Sequence, residues 1–365
     1  MGNEQQLSEQ LIISPAPHIS SGESVTKVMW TVVAALMPAA VFAVYLYGIA
    51  ALILMVVAVV SAVAGEAAMQ LLLKKKVTAF DGSAAITGLL LAMNLPPRAP
   101  WWMALIGSLF AIIIAKHLFG GLGYNIFNPA LAGRAFLMAS WPAHMTVDWH
   151  RFGPANILAK AAENTAGLTP ALFDTITQAT PLGLIKEGPR LMQDSGVSIS
   201  SLYDIALSPS MIKSLAIGTV GGCIGETSAL LLLAGGLFLI IRKVITWHIP
   251  VSFIGSCAAV VAIYYAASGF PSVGMMTLYH VLAGGLFLGA FFMATDMVTS
   301  PVSRKGMLIF GAGCGLITAL IRLWGGFPEG VSYSILIMNA LVPLIDRFTK
   351  PRVFGTGTKP KKGNG

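Results

Sequence analysis

Ten apolar segments divide this chain of 365 residues, at about 28–47, 49–73, 84–95, 101–118, 128–139, 224–243, 248–268, 278–295, 306–323 and 331–346. A bilayer's hydrocarbon core is about 30 Å thick and takes roughly 20 helical residues to cross. Inside lipid no water serves the backbone, so a spanning segment must close its own hydrogen bonds as a helix. The expected fold is therefore an all-α polytopic membrane protein with about ten transmembrane helices. Composition agrees, because 56% of residues are hydrophobic and only 10% charged, with a mean hydropathy of +0.77, outside the range of soluble domains. The first apolar segment follows a polar tail, residues 1–27, and is long enough to span, so it reads as a retained helix rather than a cleaved signal.

Basic residues set the orientation, since short cytoplasmic loops are rich in Lys and Arg. With the amino terminus inside, the inside positions hold Lys27, Lys74, Lys75, Lys76, Lys116, Arg242, Lys243, Arg304 and Lys305. The carboxyl-terminal tail adds Arg347, Lys350, Arg352, Lys359, Lys361 and Lys362, which brings fifteen of the 23 basic residues to one side. Arg134 falls within a span and reads as a snorkelling side chain. The chain then divides into a cytoplasmic tail (1–27), a first five-helix repeat (28–139), an outer-side region (140–223), a second five-helix repeat (224–346) and a basic cytoplasmic tail (347–365). Basic loops against anionic lipid account for the net charge of +8 and pI near 9.4, and no nucleic-acid partner is implied.

Two landmarks recur at nearly one offset. Ala92-Met93-Asn94 lies 202 residues before Ala294-Thr295-Asp296, and Leu118-Phe119-Gly120-Gly121 lies 205 before Leu323-Trp324-Gly325-Gly326. A repeat of five helices, an odd number, inserts with opposite orientation, which gives the inverted architecture of many transporters. Segments 84–95 and 128–139 are too short for a full crossing, and helix ends at membrane depth are natural ligand or ion sites. The glycine-rich run at 120–129 between them has no Gly-Lys-Ser/Thr ending, so it is not a phosphate loop. Its glycines are expected to serve close helix packing, and its polar Asn125 and Asn128 need partners.

Ionisable groups in or beside spans are Glu66, Asp81, Arg134, Glu226, Asp296, His117 and His280. Such groups are costly in lipid and mark pathways. Glu66 and Asp296 are the acids expected to handle an ion. Cys223, Cys257 and Cys314 are too far apart in sequence for a disulfide framework or a Cys-x-x-Cys metal site, so no metal site is expected.

One polar stretch carries chemistry. Asp174-Thr175-Ile176-Thr177-Gln178-Ala179-Thr180 has the form Asp-x-x-Thr-x-Ala-Thr, with Pro181-Leu182 after it, in the long 140–223 connection. It resembles the threonine flavinylation motif of membrane subunits of the Rnf and Nqr ion-pumping electron-transport complexes. The resemblance implies FMN esterified through its phosphate to Thr180, with Asp174, Thr177 and Ala179 completing the motif. A transferase must reach the acceptor, so Thr180 is expected on accessible backbone.

The likeness extends from about residue 12 to 350. Ser14-Pro15-Ala16-Pro17-His18-Ile19, Asn125-x-x-Asn128-Pro129-Ala130, Gly225-Glu226-Thr227-Ser228 and Thr295-Asp296-Met297-Val298-Thr299-Ser300-Pro301 are similar to signatures of the Rnf complex's D-type membrane subunit. The Ala-Pro between Ser14-Pro15 and His18 departs from the family's frequent Ser-Pro-His. The family implies a flavin-carrying bacterial inner-membrane subunit that moves electrons between ferredoxin and NAD while Na⁺ or H⁺ crosses the membrane. Its partners would be the other Rnf subunits, a flavin transferase and membrane lipids. A second, non-covalent flavin, riboflavin in this family, is expected near the broken region, with Asn125 and Asn128 as candidate contacts. The B-type membrane subunit of the sodium-pumping quinone reductase is the close alternative, and the inverted five-helix repeat is also similar to that of urea transporters. A reporter fused after Lys362 is expected to score as cytoplasmic and a cysteine near Thr180 to label from outside intact cells; labelling only after permeabilisation contradicts this topology.

Overall fold

The computed structural model describes residues 23–146, 180–194, 203–204, 206–327 and 329–350. The motif residues Asp174, Thr177 and Ala179 and the His18 segment lie outside them. Each of the ten apolar segments is helical, and the described residues contain no strand. The first half comprises α1 (Val25–Tyr47), α2 (Ile49–Leu72), α3 (Ser83–Met93), α4 (Trp101–Phe110, continued by a π-helical turn at Ala111–His117) and α5 (Pro129–Ser140). Three further helices follow, α6 (Pro142–Thr146), α7 (Pro181–Asp194) and α8 (Pro209–Ile217). The second half opens with a 3₁₀ turn at Ile224–Glu226 and continues as α9 (Ala229–Ile241), α10 (His248–Ala267), α11 (Val273–Leu282), α12 (Leu286–Leu288, continued by a π-helical turn at Gly289–Met293), α13 (Arg304–Trp324) and α14 (Val331–Phe348).

By length and composition, α1, α2, α10, α13 and α14 can each cross a membrane, and α11 with α12 makes a sixth, bent candidate. Local chemistry fixes where helices begin. Ser24, Asn128, Ser208, Ser228 and Ser303 each cap a helix by accepting a first-turn N–H, which satisfies donors that have no partner within the helix. Ser228 explains why the expected segment 224–243 becomes helical only from Ala229.

The segment expected as one span at 278–295 is instead broken. Its halves bend by 61° at Ala283–Gly285, where Gly284 and Gly285 take φ of +71° and +62°. That left-handed geometry is accessible to glycine and strained for residues with a Cβ. The two halves share a packing order. α2 lies on α3 and α4 as α10 lies on α11 and α13, α4 meets α5 as α13 meets α14, and the halves join where α1 meets α9 and α5 meets α14.

Glycine also sets the closest approach in the second half. A Cβ on Gly315 of α13 would stand 2.3 Å from the Phe253 carbonyl oxygen of α10, so these backbones touch. Gly315→Val is expected to cost about 1–3 kcal/mol, the usual penalty of overpacking, read as a lower unfolding temperature in detergent. An unchanged temperature would mean that the helices do not meet there.

Candidate functional site

A partly open cavity lies between the halves, with about 760 Å³ of empty space when the part open to solvent is included. α3 contributes Ser83 and Thr87, and the 118–128 loop contributes Asn125 and Asn128. The two π-helical turns contribute Lys116 on one side and Phe291 and Phe292 on the other, and Thr295 and Asp296 follow the second turn. Its lining, mostly apolar with a few placed polar groups, has the general character of a small-molecule or cofactor site.

Lys116 changes the sequence reading most. Expected among the cytoplasmic loops, it is 1% exposed. Its Nζ donates to Glu66 Oε2 at 2.7 Å, Glu66 Oε1 at 2.8 Å and Ser83 Oγ at 2.8 Å, which uses all three of its protons. The π-helical turn is the cause, because its wider winding turns Ala115, Lys116 and His117 inward together. Gln70 steadies the carboxylate, donating to Glu66 Oε1 at 3.2 Å and to Thr78 Oγ1 at 3.0 Å. His117 Nε2 stands 3.8 Å from Glu66 Oε1, and neither ring nitrogen has a hydrogen-bond partner among the described residues. Glu66, expected to handle an ion, is therefore held as the counter-ion of Lys116. Asp296 lines the cavity itself and accepts from Val298 N at 3.3 Å and Thr299 Oγ1 at 3.1 Å.

Both asparagines reach the cavity wall with different freedom. Asn128 Oδ1 accepts from Ala130 N and Leu131 N, and its Nδ2 donates to the Met293 carbonyl at 3.2 Å. Its amide is spent on capping α5 and tying that cap to the opposite half. Asn125 Nδ2 donates to the Phe127 carbonyl at 3.2 Å, and its Oδ1 takes no donor among the described residues, so Asn125 is the better ligand contact. The glycine run does not serve helix packing as expected. Gly120, Gly121 and Gly123 sit at φ of +125°, +108° and +93°, and shape the loop that carries Asn125.

A second polar cluster joins the halves. Arg134 of α5 does not snorkel. Its Nη1 donates to Asn94 Oδ1 at 2.9 Å and Ser332 Oγ at 2.6 Å, and its Nη2 to the Glu329 carboxylate and to Cys223 Sγ at 3.8 Å. Cys223, Glu226 and Glu329 bring ligand-type atoms within 4.8 Å of one another, but the Arg134 guanidinium already supplies the positive charge there. Sequence reasoning missed Glu329, 195 residues from its partner. The available signal was Arg134 itself, since a buried guanidinium must find a carboxylate.

Thr180 lies beside the helix break and is 5% exposed, not accessible as expected. The reason is local, for its Oγ1 caps α7 by accepting Gly183 N at 3.1 Å. α7 is docked by Tyr279, whose hydroxyl donates to the Pro181 carbonyl at 2.7 Å, and by Lys186 Nζ, which donates to the carbonyls of Ile321 at 3.1 Å and Phe327 at 2.8 Å. Burial pushes the Lys186 pKa below its usual value. Arg322 holds the far side of the break through the carbonyls of His280, Ala283 and Gly284. His280, a candidate from sequence, contacts the Tyr265 hydroxyl at 3.4 Å and does not line the cavity.

Fold and cavity together define a multi-pass membrane protein with a partly open, mostly apolar site between two helix sets. Comparison gives the family. The model of the NQR2, RnfD, RnfE family matches residues 12–355, and the chain belongs to that family. Its relatives include RnfD-type proteins from three bacteria. The one from Acetobacterium woodii, from a Na(+)-translocating ferredoxin:NAD(+) oxidoreductase complex, is 47% identical over 96% of this chain and 97% of that protein. Its counterpart in the proton-translocating ferredoxin:NAD(+) oxidoreductase complex of Clostridium ljungdahlii is 46% identical over 97% and 99%. That of the ion-translocating oxidoreductase complex of Stutzerimonas stutzeri is 42% identical over 93% and 94%.

Removing one partner of a buried ion pair typically costs about 3–5 kcal/mol. Arg134→Leu is therefore expected to destabilise the fold by that order, and Arg134→Leu with Glu329→Leu by distinctly less. A double variant that loses the sum of the two single losses, measured by thermal unfolding, would show that the pair is not coupled.

Proposed function

We propose that this chain is the flavin-carrying membrane subunit of an Rnf-type complex, moving electrons between ferredoxin and NAD while Na⁺ or H⁺ crosses a bacterial inner membrane. The observation that carries the reading is the near full-length match to the corresponding proteins of sodium- and proton-translocating ferredoxin:NAD(+) oxidoreductases. Identities of 47% and 46% to the two kinds leave overall similarity neutral on the ion. A repeat relation of the halves is supported by their shared packing order, its inversion by the odd number of segments in each, and the basic loops support cytoplasmic termini with Thr180 outside.

Thr180 is the proposed attachment point for FMN. Its place at the start of α7 suits a phosphoester, because the first-turn N–H groups and helix dipole favour negative charge. The cap and the burial add a requirement of order: the transferase must reach Thr180 before α7 docks, or while it is undocked. Asp174, Thr177 and Ala179 would present the acceptor.

The cavity is the proposed seat of the second, non-covalent flavin. The fit rests on the flat Phe291 and Phe292 side chains of its lining and on Asn125, whose Oδ1 takes no donor among the described residues and is open to a ring N–H. A bound flavin supplies one- and two-electron chemistry, while the protein supplies position and electrostatics. Asp296 is the acid of the cavity wall and the proposed ion-pathway residue.

Wild-type protein coexpressed with the transferase is expected to keep flavin fluorescence through denaturing electrophoresis, and Thr180→Ala to lose it. Acid extraction is expected to release about one equivalent of riboflavin from both. Retained fluorescence in Thr180→Ala would refute the attachment point, and no extractable flavin from well-folded protein would refute the cavity's occupant.

A further inference from the structure

Lys116 and Glu66 form a pair whose two ends face different ways. Lys116 lines the cavity and Glu66 does not. With Nζ held by both carboxylate oxygens and by Oγ of Ser83, itself a lining residue, the pair is an oriented dipole whose positive partner is the one at the cavity wall. Both side chains are about 1–2% exposed, so water screens little of its field. Stability alone does not account for such a pair, because buried ion pairs are often replaceable by apolar residues at no loss. Its location is also specific. Lys116 rides on one of the two π-helical turns found among the described residues, the other carries Phe291 and Phe292, and both turns line this one cavity. π-helical turns are frequent at functional sites.

We propose that the Glu66–Lys116 pair tunes the redox potential of the cavity's occupant, stabilising its one-electron-reduced, negatively charged form. This rests on the reading that the cavity holds a flavin. The electron comes from a low-potential iron–sulfur donor of the complex, whose centre is oxidised by one unit. No proton moves, no bond to the chain forms, and the added negative charge is compensated by the Lys116 ammonium. Lys116 acts as a positioning and electrostatic residue here, since its three protons are already committed within the pair.

The sign of the effect separates tuning from mere structural support. Removing Lys116 abolishes the positive end, so reduction becomes harder. Removing Glu66 leaves the ammonium on Ser83 with less compensation, so reduction becomes easier. Damage to packing would move both variants the same way.

The test is a spectroelectrochemical titration of the full-length chain carrying Thr180→Ala, so that only the non-covalent flavin reports. Lys116→Gln is expected to weaken the preference for reduced over oxidised flavin by tenfold or more, a fall of about 59 mV or more for a one-electron couple. Glu66→Gln is expected to shift the potential upward, Lys116→Arg to stay near the parent, and the Glu66→Gln, Lys116→Gln double variant to lie between the single variants. Should Lys116→Gln fail to accumulate, the upward shift in Glu66→Gln against an unmoved Lys116→Arg decides the matter. Unchanged potentials, or shifts of one sign in both single variants with flavin content intact, would overturn the tuning role while leaving the flavin site standing. A parent chain that is folded but free of flavin would instead overturn the flavin reading, and the tuning role with it.

Discussion

Backbone that leaves the helix at membrane depth has to find partners in a medium without water, and the described structure is organised around that demand. At the break after α11 the partner is Arg322, whose guanidinium serves the carbonyls of His280, Ala283 and Gly284. Where the second π-helical turn ends, the Met293 carbonyl accepts from Asn128 of the other half. Past the end of α3, the Leu95 carbonyl accepts from Ile224 N of the other half at 2.9 Å. Each repair crosses between elements, and two of them cross between halves. Satisfying broken backbone and joining the two helix sets are therefore largely the same interactions.

The same economy forms the cavity. A glycine loop in left-handed geometry carries Asn125 to the wall, the Asn128 cap anchors α5 behind it, and two widened helical turns deliver a buried ammonium and two phenyl rings. A pocket lined in this way is mostly apolar with a few placed polar groups, the general character of cofactor sites. It lies against α3 and the 118–128 loop, at two helices of only 11 and 12 residues.

Much of this was legible in the sequence, for reasons tied to the solvent. Lipid imposes length and polarity on every crossing, so the ten helical segments and the short α3 and α5 could be read from apolar runs alone. The same rule misled at Lys116. A lysine at the end of an apolar run reads as the exit from the membrane, and only the π-helical turn and the distant Glu66 reveal it as buried. Gly284-Gly285 lies within the apolar run that reads as one span at 278–295, because composition cannot distinguish a packing glycine from one at positive φ. Arg134 and Glu329 could not be paired by spacing, being 195 residues apart. The Thr180 motif was legible as chemistry but not as geometry, since whether a threonine caps a helix or faces water depends on how that helix docks.

The central claim is that a planar redox group sits between the halves, with the Lys116 side of the cavity on one flank and the phenyl rings of the second π-helical turn on the other. An experimental density map of the protein purified with its native cofactors tests it most directly. The account expects ring-shaped density within hydrogen-bonding distance of the Asn125 amide and against Phe291 or Phe292, with Lys116 still bound to Glu66. A cavity filled by lipid or by a side chain from a neighbouring protein of the complex, with the extractable flavin located elsewhere, would contradict it.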